Sequence, residues 1–354
     1  MKIIHLADEI WDSGLTDYAI SIATAQKKAG QKVYFAALKN YYAYQKAQVL
    51  GLDVLDIPKG PSRFASLSNA IKSINPNVLN AHTGSTHTLA IIASKISGCE
   101  PAVIRTRADA RPVTKKLFAN ILWNNTDGFV AANNRILLQF QKIIGNKIPS
   151  TFIPQGLITA APPQNQQPDY NTIGIISRLD PVKGHKIVIE ALPYIKEEFP
   201  NILIKAAGKE ENTSAEELLN YAKKLNVAEH LRFEGFVEDK YEFMQSCAFG
   251  IIPSTASEAV SRAAMEWLSQ GKPVIASNVG GLSDIITGET GILIEPENPK
   301  KLANAIIELI GDRERLEKMA SAARKHFLEN FTSEISQRKT DEFYNEVISN
   351  KFKR

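Results

Sequence analysis

The sequence has few cysteines, the residues that form disulfides and hold structural zinc. Only two cysteines occur in 354 residues, Cys99 and Cys247, and they lie far apart without the spacing of metal ligands. Two buried thiols in a reducing compartment are the expected interpretation. No run of about 18 apolar residues occurs, and the amino terminus lacks the apolar stretch of a signal peptide. We therefore expect a cytoplasmic protein, soluble or peripheral, with the inner face of the membrane as the alternative location.

Several catalytic signatures are also missing. The chain contains no Walker loop, no Gly-x-Gly-x-x-Gly after its first predicted strand, no His-Glu-x-x-His and no nucleophile elbow. These absences argue against P-loop, dinucleotide-binding, zinc-protease and α/β-hydrolase chemistry. No Asp-x-Asp pair is present to hold a metal against a diphosphate. The sequence predicts no metal site and no cofactor.

The hydrophobic pattern alternates between strands and amphipathic helices in two halves. A chain of this length exceeds one ordinary core, and alternating elements indicate parallel sheets. We predict two Rossmann-like doubly wound α/β domains facing across a cleft: 1–157, a Pro/Gln-rich linker 158–170, and 171–354, whose last helix is a candidate to return to the first domain. The predicted strands are 2–7, 31–38, 52–57, 76–81, 101–106, 127–132, 150–155, 172–177, 201–208, 230–236, 248–253, 272–277 and 290–295, with helices at 15–30 and 87–97.

The charges are distributed unevenly along the chain. Residues 1–157 contain 18 Lys and Arg and 9 Asp and Glu, a net charge of +9. The remainder has 42 − 18 = 24 basic and 38 − 9 = 29 acidic residues, a net charge of −5. Either the two halves meet different partners, or the difference reflects surface solvation alone.

A candidate anion site lies in the stretch ISRLDPVKGHKIVIEAL, residues 176–192. Arg178 and Lys183 follow a predicted strand, and Gly184 opens a predicted helix. Two cations beside a helix amino terminus can bind a diphosphate. The alternative is an ordinary surface loop with solvated side chains.

Two glutamates form a second candidate group. Glu258 follows a predicted strand and a polar loop, so it is expected at or near the start of the helix that holds Glu266. The amides of Ala259, Val260 and Ser261 would then be unpaired first-turn donors for a phosphate. Glu266, two turns further along, would accept hydrogen bonds from hydroxyl groups of the same elongated ligand. The alternative is a pair of surface glutamates.

The second half resembles retaining glycosyltransferase family 4, also called glycosyl transferases group 1, of the GT-B fold. The matching segments are GIISRLDPVKGHKIVIEAL, IKAAGKEE, LRFEGFVED, GIIPSTASEAVSRAAMEWLSQGKPVIASNVGGLSDII and TGILIEPENP. The resemblance implies that Arg178 and Lys183 neutralise a leaving diphosphate and that Glu258 lies beside the donor sugar. It also implies that Glu266 binds the ribose and that Gly208 lets the nucleotide approach the backbone.

The first half resembles the family more loosely. Where members carry paired glycines after the first strand, this chain has only Gly14. His82 lies where a histidine of the binding cleft is common in the family; a structural histidine is the alternative. Arg107 stands where many members have a histidine that contacts the donor sugar. These differences suggest a subgroup with its own donor or acceptor.

A basic cluster begins in the fifth predicted strand and runs into the apolar stretch LFANILW. It can bind an anionic acceptor or anionic lipid headgroups, or form a solvated helix face. Nucleic acid is not expected, because aromatic stacking platforms are absent beside the cluster. Its members are Arg105, Arg107, Arg111, Lys115 and Lys116.

The resemblance implies a metal-independent retaining hexosyltransferase that moves a sugar from a nucleotide diphosphate sugar, with a UDP-sugar expected, to a hydroxyl acceptor. The acceptor would be a glycan or glycolipid, as in lipopolysaccharide or other cell-surface glycan synthesis. Two alternatives remain open: a GT-B-fold sugar-nucleotide epimerase, and a sugar-nucleotide-binding protein without turnover.

Overall fold

The computed structural model describes residues 1–109, 111, 119–157, 169–256 and 258–353. The chain divides into two compact units, Met1–Ile158 with Phe331–Arg354, and Thr159–Asn330. No helix within these described ranges is long and apolar enough to span a bilayer. Apart from residues 169 and 170, the predicted linker lies outside the described residues.

The first unit contains a seven-stranded parallel sheet with the order β3-β2-β1-β4-β5-β6-β7. Its strands are β1 (Lys2–Ala7), β2 (Lys32–Ala37), β3 (Asp53–Asp56), β4 (Val78–Ala81), β5 (Ala102–Arg107), β6 (Gly128–Ala131) and β7 (Ser150–Phe152). Its helices are α1 (Gly14–Lys28), α2 (Tyr42–Val49), α3 (Ser62–Ile74), α4 (Gly84–Ser97), α5 (Ala119–Trp123) and α6 (Asn134–Ile144).

The second unit contains a six-stranded parallel sheet with the order β10-β9-β8-β11-β12-β13. Its strands are β8 (Thr172–Ile176), β9 (Leu203–Ala207), β10 (Leu231–Gly235), β11 (Gly250–Ile252), β12 (Val274–Ser277) and β13 (Gly291–Ile294). Its helices are α7 (His185–Glu198), α8 (Ala215–Lys224), α9 (Lys240–Gln245), α10 (Arg262–Ser269), α11 (Leu282–Ile285), α12 (Pro299–Gly311) and α13 (Arg313–Asn330).

Each predicted strand coincides with an observed one, with ends that differ by a few residues. The buried strands are nearly continuous apolar runs because helices cover both faces of a parallel sheet. The predicted helices 15–30 and 87–97 correspond to α1 and α4.

The last helix, α14 (Ser333–Lys351), packs in the first unit. Phe343, Tyr344 and Val347 join a core cluster with residues of β1, β4 and β5. Gly128 in β6 provides the room, because a Cβ there would meet the side chains of Val347 and Phe343 at 2.9 and 3.2 Å. The helix therefore belongs to the core of the first sheet.

Trp267 anchors α10 on the second sheet. Its side chain is fully buried, and it occupies space that Cβ atoms on Gly174 in β8 and Gly250 in β11 would fill. Two strand glycines thus let α10 approach the sheet closely. This contact fixes the position of the neighbouring residue, Glu266.

Candidate functional site

The loop after β8 brings Lys183 to Glu258. The Lys183 Nζ donates to Glu258 Oε1 at 2.6 Å, and the Glu258 side chain is only 6% exposed. Gly184 has φ +74° and is the N-cap of α7, as predicted for the residue that opens the helix. A Cβ on Gly184 would clash with the backbone carbonyl of Pro253. Glycine is therefore required for the close approach of the two loops.

Asp180 stabilises the loop that carries both predicted cations. Its carboxylate accepts from Asn212 Nδ2 at 2.6 Å and from the Val182 amide at 2.9 Å. The Asn212 hydrogen bond, then the Val182 amide and the charges of Arg178 and Lys183, lower the pKa of Asp180. The carboxylate consequently stays ionised and holds the turn around residues 181–183.

Arg178 does not join the Lys183–Glu258 pair. Its guanidinium forms an ion pair with Glu211 at 2.9 Å, and both side chains are about half exposed. An exposed pair of this kind is held weakly. Arg178 can therefore exchange Glu211 for an anionic ligand at low cost.

Glu258 is held from several directions. Ser254 Oγ donates to Glu258 Oε1 at 2.7 Å, and the Glu258 carbonyl accepts from the Gly281 amide at 2.6 Å. A Cβ on Gly280, which has φ +58°, would clash with that carbonyl. The carboxylate is therefore held in place by these contacts and is almost fully buried.

The expected relation of Glu258 to the helix is corrected by the structure. The helix α10 begins at Arg262 with Ser261 as its N-cap, so Ala259 and Val260 precede it and their amides are not first-turn donors. Glu266 is the fifth residue of α10. The prediction placed the start too early because the apolar pattern continues through residues 259–260 without a helical backbone.

Glu266 is buried and held by two cations. Its Oε1 accepts from Lys240 Nζ at 2.5 Å and from Arg262 Nε at 2.7 Å, and its side chain is 5% exposed. Lys240 begins α9, whose N-cap Asp239 accepts from the amides of residues 241 and 242. A buried carboxylate paired in this way is unlike an ordinary surface glutamate.

Gly208 directly follows the neighbouring strand β9. Its amide donates to the Gly235 carbonyl at 2.7 Å, and a Cβ would clash with the carbonyl of Ser177. The backbone of β8 and β9 is therefore closely spaced at their carboxyl ends, the edge where doubly wound sheets bind ligands.

In the first unit, His82 follows β4 and is buried. The rings of His82 and His5 stack with centroids 5.3 Å apart. Burial, then the neighbouring His5 and the charge of Arg105, hold the pKa of His82 well below its usual value. Gly14 is the first residue of α1, directly after the N-cap Ser13, whose Oγ accepts from the Thr16 amide at 3.3 Å.

The basic cluster is not one surface. Arg105 lies in the central strand β5, and its side chain is buried because helices cover both faces of that strand. Its Nη1 donates to the Ala81 carbonyl at 3.0 Å. Arg107 pairs with Asp109 at 3.1 Å, and Arg111 is exposed. Lys115 and Lys116 lie outside the described residues.

Sequence reasoning missed several residues of the second unit, among them Lys240, Ser254 and Gly280. Gly280 carried a signal, because a glycine pair in the loop that follows a strand marks a turn. Ser254 stands four residues before Glu258 and Lys240 opens a short helix, and neither pattern is distinctive.

The described geometry can now be compared with known proteins. Residues 159–326 match the family model of glycosyl transferases group 1, which confirms the predicted resemblance to that group for this part of the chain. Spore coat protein SA of Bacillus subtilis (strain 168) is 32% identical over 166 residues, 44% of this chain and 44% of that protein. An uncharacterized glycosyltransferase of Methanocaldococcus jannaschii, MJ1178, is 34% identical over 169 residues, 47% of this chain and 45% of that protein. These matches span less than half the length of either relative.

A solved structure shares the fold over nearly the whole chain. The crystal structure of Anabaena Alr3699/HepE in complex with UDP matches with a TM-score of 0.82 and 20% identity, over 98% of this chain and 100% of that chain. The predicted fold class, α/β with two doubly wound domains of the GT-B type, is confirmed. The predicted cleft between the domains stays a prediction.

Proposed function

We propose that this protein is a retaining, metal-independent glycosyltransferase of family 4 that uses a nucleotide diphosphate sugar. The observation that carries the proposal is the ion pair between Lys183 and the buried Glu258 at the carboxyl ends of β8 and β11, inside the range that matches glycosyl transferases group 1. Nucleotide ligands of doubly wound sheets bind at this edge. The second unit would hold the donor and the first unit the acceptor.

The two cations would act on the diphosphate as it leaves. Lys183 is fixed by Glu258, and Arg178 is weakly held by Glu211. Charged donors that are already oriented stabilise developing negative charge without reorganising. Glu258 would lie beside the donor sugar, with the amides of Ala259, Val260 and Ser261 as phosphate donors that precede the helix.

Glu266 would bind the ribose hydroxyls of the nucleotide. Its carboxylate accepts from two cations on one oxygen, Oε1, and carboxylates have further acceptor capacity for hydroxyl groups. Gly208 would let the nucleotide approach the backbone. In the first unit, His82, Gly14 and Arg107 would face the acceptor or the transferred sugar.

The donor we propose is a UDP-sugar, because the Anabaena protein with the same fold was crystallised with UDP. The proposed acceptor is a glycan or glycolipid of the cell surface, such as a lipopolysaccharide precursor. The enzyme would work in the cytoplasm, at the inner membrane face when the acceptor is a lipid.

A panel of nucleotide sugars tests this function. A bound donor raises the melting temperature by mass action, so UDP-sugars should shift it more than matched GDP- and ADP-sugars. Incubating the stabilising donor with and without candidate acceptors then separates the alternatives. Product that forms only with an acceptor supports transfer. Epimerised donor without acceptor, or binding with no turnover across the panel, overturns the proposal.

Arg111, with Lys115 and Lys116, would bind an anionic acceptor or anionic lipid. Arg111→Ala, and the triple Ala variant, should raise acceptor KM and weaken binding to phosphatidylserine vesicles. The effect should be larger at low salt, because at physiological ionic strength salt screens charge interactions over a length of about 8 Å. Arg338→Ala, an exposed arginine on α14, is the matched control. If acceptor KM and vesicle binding are unchanged in both variants, the three basic residues have no binding role and are only solvated surface side chains.

A further inference from the structure

A chain of buried hydrogen bonds connects α14 to the end of β4 in the first unit. Asp341 Oδ1 accepts from Gln26 Nε2 at 2.6 Å, and Gln26 Oε1 lies 2.8 Å from His5 Nε2. His5 Nδ1 lies 3.0 Å from His82 Nε2. All four side chains are at least nine-tenths buried. Solvent therefore does not supply alternative partners along this path.

The carboxylate at one end fixes the direction of every bond. An ionised carboxylate only accepts, and Asp341 also accepts from Gln31 Nε2 at 2.9 Å and Gln337 Nε2 at 2.7 Å. Gln26 must therefore turn its amide nitrogen to Asp341 and its oxygen to His5. The His5 Nε2 consequently carries the proton that Gln26 accepts.

The direction of the hydrogen bond between His5 and His82 follows because both imidazole rings are neutral. Burial lowers the pKa of His5 to about 4, so His5 has a single proton, on Nε2, and its Nδ1 is an acceptor. His82 Nε2 must then donate to it. Asn80 Nδ2 lies 3.5 Å from the same atom, His5 Nδ1, and is a second donor to it.

These bonds leave His82 with an unprotonated Nδ1. This atom is buried and has no hydrogen-bond partner among the described residues. A buried acceptor without a partner is costly, and His82 follows β4 at the edge of the sheet where ligands bind. The arrangement suits a hydroxyl or N–H donor that arrives with a ligand.

We propose that Asp341, Gln26 and His5 are positioning residues that hold His82 in the tautomer whose Nδ1 accepts a hydrogen bond from a substrate hydroxyl. The assignment of the donor as a substrate hydroxyl rests on the proposed function, whereas the assignment of the tautomer does not. Because the pKa of His82 is held well below its usual value, His82 is a poor proton acceptor in full transfer. Its role is to orient the hydroxyl, not to remove its proton.

The tautomer can be measured in the unmodified protein. Nitrogen-15 NMR of histidine-labelled protein at neutral pH, assigned with His82→Gln, should show His82 Nε2 protonated and Nδ1 unprotonated. His5 should show the same pattern. A protonated Nδ1 on His82 overturns the proposal. This result does not depend on glycosyl transfer, so it stands apart from a failure to detect activity.

Variants test the role of the chain in turnover. In Gln26→Glu a second carboxylate faces Asp341, and the amide that donates to Asp341 is lost. We therefore expect kcat/KM to fall roughly 2- to 12-fold, which corresponds to the loss of one neutral hydrogen bond. The double variant Gln26→Glu with Asp341→Asn restores a hydrogen bond between positions 26 and 341, since the new amide at position 341 can donate to the new carboxylate at position 26. This double variant should recover most of the activity.

Gln337→Glu is the matched control. It also places a carboxylate against Asp341, at the atom that Gln337 now reaches at 2.7 Å, but it lies off the path to His82. Melting temperatures of all variants separate folding from function. Equal kcat/KM losses in Gln26→Glu and Gln337→Glu, or no recovery in a folded double variant, overturn the proposal.

Discussion

The Lys183 ammonium and the Glu258 carboxylate are 2.6 Å apart although 75 residues separate them in the chain. The pair joins the loop after β8 to the loop after β11, and Gly184 allows the two loops to touch. Lys183 therefore holds a buried carboxylate and, under the proposed function, also contacts the diphosphate. Arg178 is about half exposed and has only the second of these roles.

Arg178→Ala and Lys183→Ala should each lower turnover. A lost charge-assisted hydrogen bond costs about 1.5–3 kcal/mol, which is roughly 10- to 150-fold in rate. Only Lys183→Ala should also reduce the free energy of unfolding, because it leaves Glu258 buried with Ser254. Lys186→Ala, which changes an exposed lysine of α7, is the control. Near-native steady-state rates in both variants would contradict the phosphate assignment.

Glu266→Gln should weaken the binding of UDP more than that of its 2′,3′-dideoxyribose analogue. The variant removes a charged acceptor for the ribose hydroxyls, and we expect roughly a tenfold loss or more for UDP. Titration calorimetry with both ligands measures the difference. An equal loss for the two nucleotides would show that Glu266 acts only through Lys240 and Arg262.

Gly184→Ala should destabilise the second unit more than Gly235→Ala does. Both glycines have positive φ, so alanine costs about 1–2 kcal/mol at either position. Only at Gly184 would the Cβ also clash with Pro253, whereas no described heavy atom lies within 4 Å of a Cβ at Gly235. Urea unfolding gives the comparison, and equal losses would show that the Pro253 contact relaxes freely.

Transfer should retain the donor's anomeric configuration and continue in EDTA. Retention follows from the family resemblance, and metal independence from leaving-group stabilisation by Arg178 and Lys183. Proton NMR of freshly formed product reports the configuration. An inverted product, or activity that EDTA abolishes and Mn²⁺ restores, would contradict this prediction.

Stability should decrease as the pH falls from about 6.5 to 4. Burial, then Lys183, lowers the pKa of His185 to about 4, and burial, then Arg105, lowers that of His87 to about 3. Above pH 6.5 both are neutral whether folded or unfolded. Below it the unfolded chain binds protons that the folded chain does not, which costs up to about 1.4 kcal/mol per pH unit for each histidine. His185→Gln should reduce this slope in urea unfolding; an unchanged slope would contradict it.

Local pattern determined much of this protein. The period of apolar residues predicted thirteen strands and two doubly wound α/β domains, because burial on two faces requires continuous apolar strands. The GT-B type was implied by the family resemblance of the second half. Gly184 was predicted to open its helix because glycine next to cations at a strand end is a local signal. The start of α10 was placed too early, since an apolar pattern does not show where a helical backbone begins.

Tertiary structure alone decided the partners of the buried charged and polar groups. Lys240 reaches Glu266 across 26 residues, and Gln26 reaches Asp341 across 315. Neither pair has a local signal, because each depends on how separate elements pack on one sheet. The burial of Arg105 was likewise hidden in the sequence. A strand's central position follows from sheet order, and sheet order is set by contacts between residues that are distant in the chain.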